Sequence, residues 1–161
     1  MRILVFGETG QLAREIARAA GDDEVICMGQ EHAEFTDPES CAGLVVEILP
    51  DAVINAVAYT AVDKAESEEA LAQVVNATTP GAIAEACAAQ GVPMVHVSTD
   101  YVFDGSGQAA WKPGDATGPL GAYGRTKLAG EEAVRGAGGS HVIIRTSWVV
   151  SAHGANFIKT M

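Results

Sequence analysis

Tyr123 and Lys127 stand four residues apart in Tyr123-Gly124-Arg125-Thr126-Lys127. On a helix that spacing stacks the two side chains on one face. An ammonium beside a phenol favours the phenolate and lowers its pKa, which suits proton exchange with a carbonyl or hydroxyl near neutral pH. The same spacing also serves a surface tyrosine that packs its ring on a lysine stem. The pair takes its meaning from the residues around it.

Gly7-Glu8-Thr9-Gly10-Gln11-Leu12-Ala13 is the second stretch with chemistry in it. Ile3 to Phe6 before it is a continuous apolar run, as expected of a parallel strand covered on both faces. Leu12, Ile16 and Ala19 after it recur at helical spacing. The glycines therefore sit at a strand-to-helix turn, where the first helical N–H groups point outward and the dipole favours an anion. Gly7 permits the tight turn and Gly10 the close approach of a pyrophosphate, while Ala13 stands where a third glycine would. A helix-capping turn without a ligand would share this pattern.

Glu24 to Met28 reads as a second strand, and its end should carry the group that reads the adenosine ribose. An acid there selects NAD; an Arg nearby accommodates the 2′-phosphate of NADP. Gly29-Gln30-Glu31-His32 gives neither answer clearly. Glu31 leans toward NAD, and no Arg or Lys occurs between Arg18 and Lys64. His32 reads as a solvated loop residue.

The elements that position these groups follow in order. Thr36-Asp37-Pro38-Glu39 is a helix start, and the helix runs to about Leu49. Ala52 to Ala58 is a third apolar run whose Asn55 must find a partner or face a site. Ala56 and Ala58 leave room for a flat ligand. Asp63, Lys64 and Glu66 read as a polar loop or salt-bridge cluster rather than a catalytic trio. Helical sequence extends from Ser67 to about Gln90, and Pro80 divides it into two pieces. Met94 to Ser98 is a buried strand with His96 as a satisfied core histidine. Ser98, Thr99, Asp100 and Tyr101 lie at its carboxyl end, where ligands bind in open α/β sheets. Asp104 to Thr117 is a long loop of the kind that serves a site. The Tyr123 helix closes near Gly136, and the strand His141 to Thr146 puts Ser147 and Trp148 at its own carboxyl end. The alternation predicts an α/β fold: a doubly wound parallel sheet of about six strands, a Rossmann fold with helices on both faces.

Composition narrows the partners. The 161 residues fit one domain, with 48% apolar and 19% charged residues and a net charge of −11. A balance this acidic argues against nucleic acid or an anionic membrane as partner. Cys27, Cys41 and Cys87 are far apart and without metal-type spacing, so three reduced thiols are expected. The N-terminal apolar run is too short for a signal peptide, and no run approaches a membrane span, so the cytoplasm is the expected compartment.

Five blocks in order carry a resemblance. They are the glycine turn, Asn55 to Glu66 (NAVAYTAVDKAE), Ser98 to Phe103 (STDYVF), Tyr123 to Gly130 (YGRTKLAG) and Arg145 to Val149 (RTSWV). Together the chain resembles the dTDP-4-dehydrorhamnose reductase family of extended short-chain dehydrogenases/reductases, over nearly its whole length. The resemblance implies reduction of the 4-keto group of dTDP-4-dehydro-L-rhamnose by NADPH or NADH. It implies Tyr123 as proton donor to the C4 oxygen, with Lys127 on the nicotinamide ribose and Thr99 at the reacting carbonyl. Asp100 and Trp148 would meet the sugar nucleotide, Gly7, Gly10, Gln11 and Leu12 the pyrophosphate, and Ala58, Tyr59, Thr60 and Val97 the rest of the cofactor. Some members hold Mg²⁺ between subunits through glutamates, and a homodimer is expected of such a full-length protein. Glu15 matches one such position, and no metal site is expected within this chain. Gln30 and Glu34 depart from the family pattern and leave NADP against NAD open.

The resemblance further implies that residues 1–161 are a truncated cofactor-binding Rossmann domain whose C-terminal substrate domain is absent. Such a piece should bind cofactor weakly and turn over slowly or not at all. Two rival readings share much of the pattern. One is another sugar-nucleotide reductase or epimerase of the superfamily, against which STDYVF and RTSW argue. The other is a non-catalytic regulatory subunit of the methionine adenosyltransferase-associated type, although both Tyr123 and Lys127 are present.

Overall fold

A computed structural model describes residues 1–161. Five strands form one wholly parallel sheet, β1 (Arg2–Phe6), β2 (Glu24–Met28), β3 (Ala52–Asn55), β4 (Met94–Thr99) and β5 (His141–Thr146). Their spatial order is β2-β1-β3-β4-β5, so the chain reverses direction across the sheet after β2 and leaves a switch point beyond β1 and β3. About six strands were expected. The five are the strand segments read from the sequence, and the stretch between β4 and α6, read as a long loop, is a short 3₁₀ turn, Asp100–Val102, followed by irregular chain up to Gly121.

The helices are α1 (Gln11–Arg18), α2 (Pro38–Ile48), α3 (Val62–Ala65), α4 (Glu69–Gln73), α5 (Thr79–Gln90), α6 (Ala122–Gly136) and α7 (Phe157–Thr160). Right-handed crossovers place α1 on one face of the sheet and α2, α5 and α6 on the other. The two faces are covered unequally. On the three-helix side Leu4, Phe6, Val53, Met94, Ile83 and Cys87 form a dry core, with Phe6 edge-on to Phe35 at 5.6 Å. On the α1 side Val5, Ile54, Val95 and Val142 stand in register across the sheet. Val5 is fully buried, whereas Val142 is 56% and Ile144 45% exposed.

Local chemistry sets the element ends. The Asp37 carboxylate accepts from the Ser40 N–H at 3.0 Å and Pro38 occupies the first turn of α2. β3 stops at Asn55, three residues before the end of the apolar run. There the Asn55 side chain accepts from the Val57 N–H at 3.0 Å and turns the chain out of the ladder. Pro80 divides the long helical region as expected, through a wide π turn at Val74–Thr78 instead of a gap. The turn pushes the Asn76 carbonyl toward α6, directly over the bare Cα of Gly130.

The three thiols are free; Cys41 and Cys87 are buried, and burial pushes them up to about 12 and about 11. His96 departs from expectation. It is fully buried with its Nδ1 3.2 Å from the Asn55 amide, but its Nε2 has no partner. Burial drives it down to about 3, so it stays neutral.

Gly130→Ala should lower stability by about 2–3 kcal/mol, because its Cβ would overlap the Asn76 carbonyl oxygen. Gly136→Ala, with open space at its Cβ, should be neutral or add roughly 0.5–1 kcal/mol. Paired urea unfolding curves check the contrast.

Candidate active-site cleft

A cleft of about 730 Å³ opens beyond the carboxyl ends of the strands, at the switch point. Every strand contributes to its wall: the glycine turn after β1, Met28 to Thr36 after β2, Ala56 to Thr60 after β3, Val97 and Ser98 of β4, and Thr146 of β5. Tyr123 and Lys127 of α6 complete it.

The glycine turn has the shape its sequence predicts. Gly7 has φ +120°, a conformation closed to residues with a side chain, and a Cβ there would stand 3.4 Å from that of buried Ala13. Gly10 caps α1 with no side-chain acceptor and with open space where its Cβ would be. Free N–H groups at the start of α1 thus face an uncovered concavity, and the residues fit a dinucleotide diphosphate. The Gln11 side chain has a further task. Its carbonyl oxygen accepts from Ser151 N at 3.0 Å and Asn156 Nδ2 at 2.9 Å, and its amide donates to Ala155 O at 3.3 Å. Residues 151–156 are tethered to the start of α1 by these bonds.

α6 is held in place from both ends. At its start the Glu66 carboxylate accepts from the Ala122 N–H at 2.7 Å, and Arg125 makes a two-point ion pair with Glu69. Asp63, Lys64 and Glu66 form no ion-pair cluster among themselves: Asp63 and Lys64 lie in α3, Lys64 pairs with Glu68 at 2.8 Å, and Glu66 caps α6. In its middle, fully buried Asn76 donates to Thr126 Oγ1 at 3.1 Å and accepts from Tyr59 N at 2.8 Å. That amide ties the β3 loop to α6 one residue before Lys127. Further along, buried Glu131 receives Arg145 through two nitrogens at 2.8 and 2.7 Å, Arg135 at 2.8 Å and the Ser98 hydroxyl at 2.6 Å. Burial opposes ionisation of Glu131, yet these donors hold its carboxyl down at about 2.

Lys127 is 1% exposed and donates to the Val97 carbonyl at 2.7 Å. Burial brings its ammonium down to about 8, with Glu131 pulling the other way. Tyr123 is half-buried, edge-on to Tyr101 at 5.5 Å. Its phenol is raised above the ordinary value, first by burial and then by Asp100 and Tyr101, with Thr99 beside it acting in the opposite direction. The expected lowering by the lysine is not found, because the Lys127 ammonium is directed at the Val97 carbonyl and the cleft wall desolvates the phenol.

Gly7, Gly10, Gln11, Leu12, Ala58, Tyr59, Thr60, Val97, Tyr123 and Lys127 all line the one cleft. Thr99, Asp100 and Trp148 do not. Thr99 is buried behind Tyr123, accepting from Tyr101 N at 3.2 Å and donating to Asp100 at 3.2 Å. Asp100 accepts from the Ser147 hydroxyl at 2.6 Å. Trp148 stands 73% exposed with φ +52°, its ring edge-on to Phe157 at 4.8 Å. Glu15 pairs with Arg18 at 2.8 Å and faces His153 at 3.8 Å, and no group of three or more metal-ligating side chains is assembled. Sequence reasoning missed Asn76 and Glu131. An amide inside Val74-Val75-Asn76-Ala77 is the same signal that singled out Asn55.

A family model described as the RmlD substrate binding domain matches residues 1–161. The chain belongs to this family. The chain is 47% identical over 166 residues to dTDP-4-dehydrorhamnose reductase of Salmonella typhimurium, covering all of this chain and 56% of that protein. The solved dTDP-4-dehydrorhamnose reductase of Clostridium acetobutylicum superposes with a TM-score of 0.94 at 39% identity, over 99% of this chain and 57% of that one. The Bacillus anthracis reductase, solved in complex with NADP, gives 0.94 at 33% identity, over 99% and 57%. The chain thus spans somewhat more than half the length of the family relatives it matches. No helix is long and apolar enough to cross a membrane.

The Lys127 shift has a consequence for stability. An unfolded lysine titrates near 10.5 and this one near 8, so between those values the unfolded chain binds more protons. Lys127 should therefore contribute roughly 2–3 kcal/mol of added stability as pH rises from 8 to 10.5, against the opposite contribution of the raised Cys41 and Cys87 thiols over the same range. Lys127→Met should remove that slope while the other titrations remain, which unfolding curves of the two proteins across the range will show.

Proposed function

We propose that residues 1–161 are the cofactor-binding and proton-donating part of a dTDP-4-dehydrorhamnose reductase, acting on dTDP-4-dehydro-L-rhamnose to give dTDP-L-rhamnose. The observation that carries the reading is the shared cleft: the glycine turn, Tyr123 and Lys127 line one concavity, with Thr99 against the phenol. Gly7, Gly10 and Leu12 would hold the diphosphate of NADPH or NADH, with Ala58, Tyr59, Thr60 and Val97 along the rest of the cofactor. Bound there, the cofactor supplies the hydride that reduces the C4 carbon.

The chain's own groups handle the proton. A phenol raised above its ordinary value retains its hydrogen, so Tyr123 arrives at the ketone as a donor and delivers that hydrogen to the C4 oxygen. The Thr99 hydroxyl beside it would orient the same oxygen. Lys127, brought near 8 by burial and donating to Val97, would meet the nicotinamide ribose from the floor of the cleft. Asp100 and Trp148, at the rim and outside the cleft, would meet the sugar nucleotide, with the remaining pocket supplied by the length of the relatives that this chain does not span. The reading places the protein in the cytoplasm, with a homodimer of the full-length enzyme as part of the same proposal.

The full-length protein should oxidise NAD(P)H in a ketone-dependent reaction, and Tyr123→Phe should slow it by about 10²-fold or more. Equal rates for the two proteins would remove the assignment. Residues 1–161 by themselves should show little turnover; a rate matching the full-length enzyme would overturn the proposed division between cofactor and sugar halves.

A further inference from the structure

We propose that Glu8 reads the adenosine ribose and makes this cleft selective for NADH over NADPH, an inference that rests on the dinucleotide reading above. Glu8 belongs to the glycine turn after β1, but its side chain reaches across to the end of β2. A Glu8 carboxylate oxygen occupies the place where a side chain on Gly29 would begin, and the Glu8 Cβ and carboxyl carbon are each 3.3 Å from that point. Gly29 is the residue directly after β2, and its missing side chain is what admits the carboxylate. The charge is felt on the strand itself, since Glu8 helps to raise the Cys27 thiol.

In dinucleotide folds the acid that binds the ribose hydroxyls comes from the end of β2. Here that place is filled by an acid from a different turn. A carboxylate has two oxygens and can accept both hydroxyls of a ribose diol. A 2′-phosphate, with its own negative charge, would have to lie against the same group.

Nothing nearby offsets the repulsion. The charged residues lining the cleft are Glu8, Glu34 and Lys127. Glu34 lies on the same β2 side, and bonds from the Thr36 N–H at 3.2 Å and hydroxyl at 3.0 Å hold its carboxyl below the usual range. Lys127 is directed at the Val97 carbonyl on the sheet floor. A 2′-phosphate would therefore meet two carboxylates and no cation.

Fluorescence titration of the full-length protein with NADH and with NADPH, at low and at high salt, tests this. NADH should bind at least about tenfold more tightly at low ionic strength, and the ratio should shrink as salt screens the exposed carboxylates. Glu8→Gln should narrow the ratio, and Glu8→Lys should equalise or invert it by weakening NADH and strengthening NADPH. Equal affinity of the unmutated protein for the two cofactors, or an unchanged ratio in Glu8→Lys, overturns the role of Glu8 and leaves the dinucleotide cleft standing. Absence of saturable binding by either cofactor overturns both readings.

Discussion

An amine shut away from water must either be neutral or find an oxygen, and Lys127 meets that demand by donating to the carbonyl of Val97. That single bond crosses the seam between α6 and β4, and so it fixes the height of the helix over the sheet. Much of the rest follows from letting the helix come so close. Gly130 lacks a side chain because the Asn76 carbonyl lies over it, and that carbonyl is there because the chain widens into a π turn ahead of Pro80. Asn76 then uses its amide on both sides, bonding Thr126 of α6 and Tyr59 of the cleft wall. The proton-handling helix and the loop that would carry the cofactor are positioned by one buried side chain.

A second buried charge steadies the far end of the same helix. Glu131 is completely enclosed, yet two guanidinium groups and the Ser98 hydroxyl leave little of its charge uncompensated. Removing one partner from such a cluster costs far more than the intact cluster adds, because the remaining charge cannot return to water. Arg145 extends the arrangement outward: its guanidinium lies 4.8 Å over Phe103, which stacks on Trp111 at 4.6 Å. The long loop between β4 and α6 is thereby fastened to β5. Arg145 of the RTSW block thus has a structural task that its resemblance-based reading did not specify.

What the sequence disclosed and what it withheld divide along a physical line. Periodicity and glycine placement are local properties, and they located β1, β2, α2 and α6, the turn at Gly7 and the break at Pro80. The residues of the cleft were legible for the same reason, since they sit at strand ends. Hidden were relations between segments far apart in the chain. Glu66 reads as a loop acid until Ala122 is brought to it, and nothing in the glycine turn singles out Glu8 until Gly29 is seen to make room. The acidity of Tyr123 was misjudged because four-residue spacing says that a lysine is near, not where its ammonium is directed. His96 was misjudged similarly: sequence can place it in a strand but cannot count the partners of each ring nitrogen.

The unequal covering of the sheet has a consequence for residues 1–161 in bulk solution. Within residues 1–161, Val142 and Ile144 present an apolar strip on β5, the last strand of the sheet, and such a strip draws apolar surfaces to it, whether of a like molecule or of a further part of a longer polypeptide. A charge of −11 pushes like molecules apart at the same time. For residues 1–161, monodispersity is thus a contest between a short-range adhesive patch that added electrolyte does not screen and a long-range repulsion that it does.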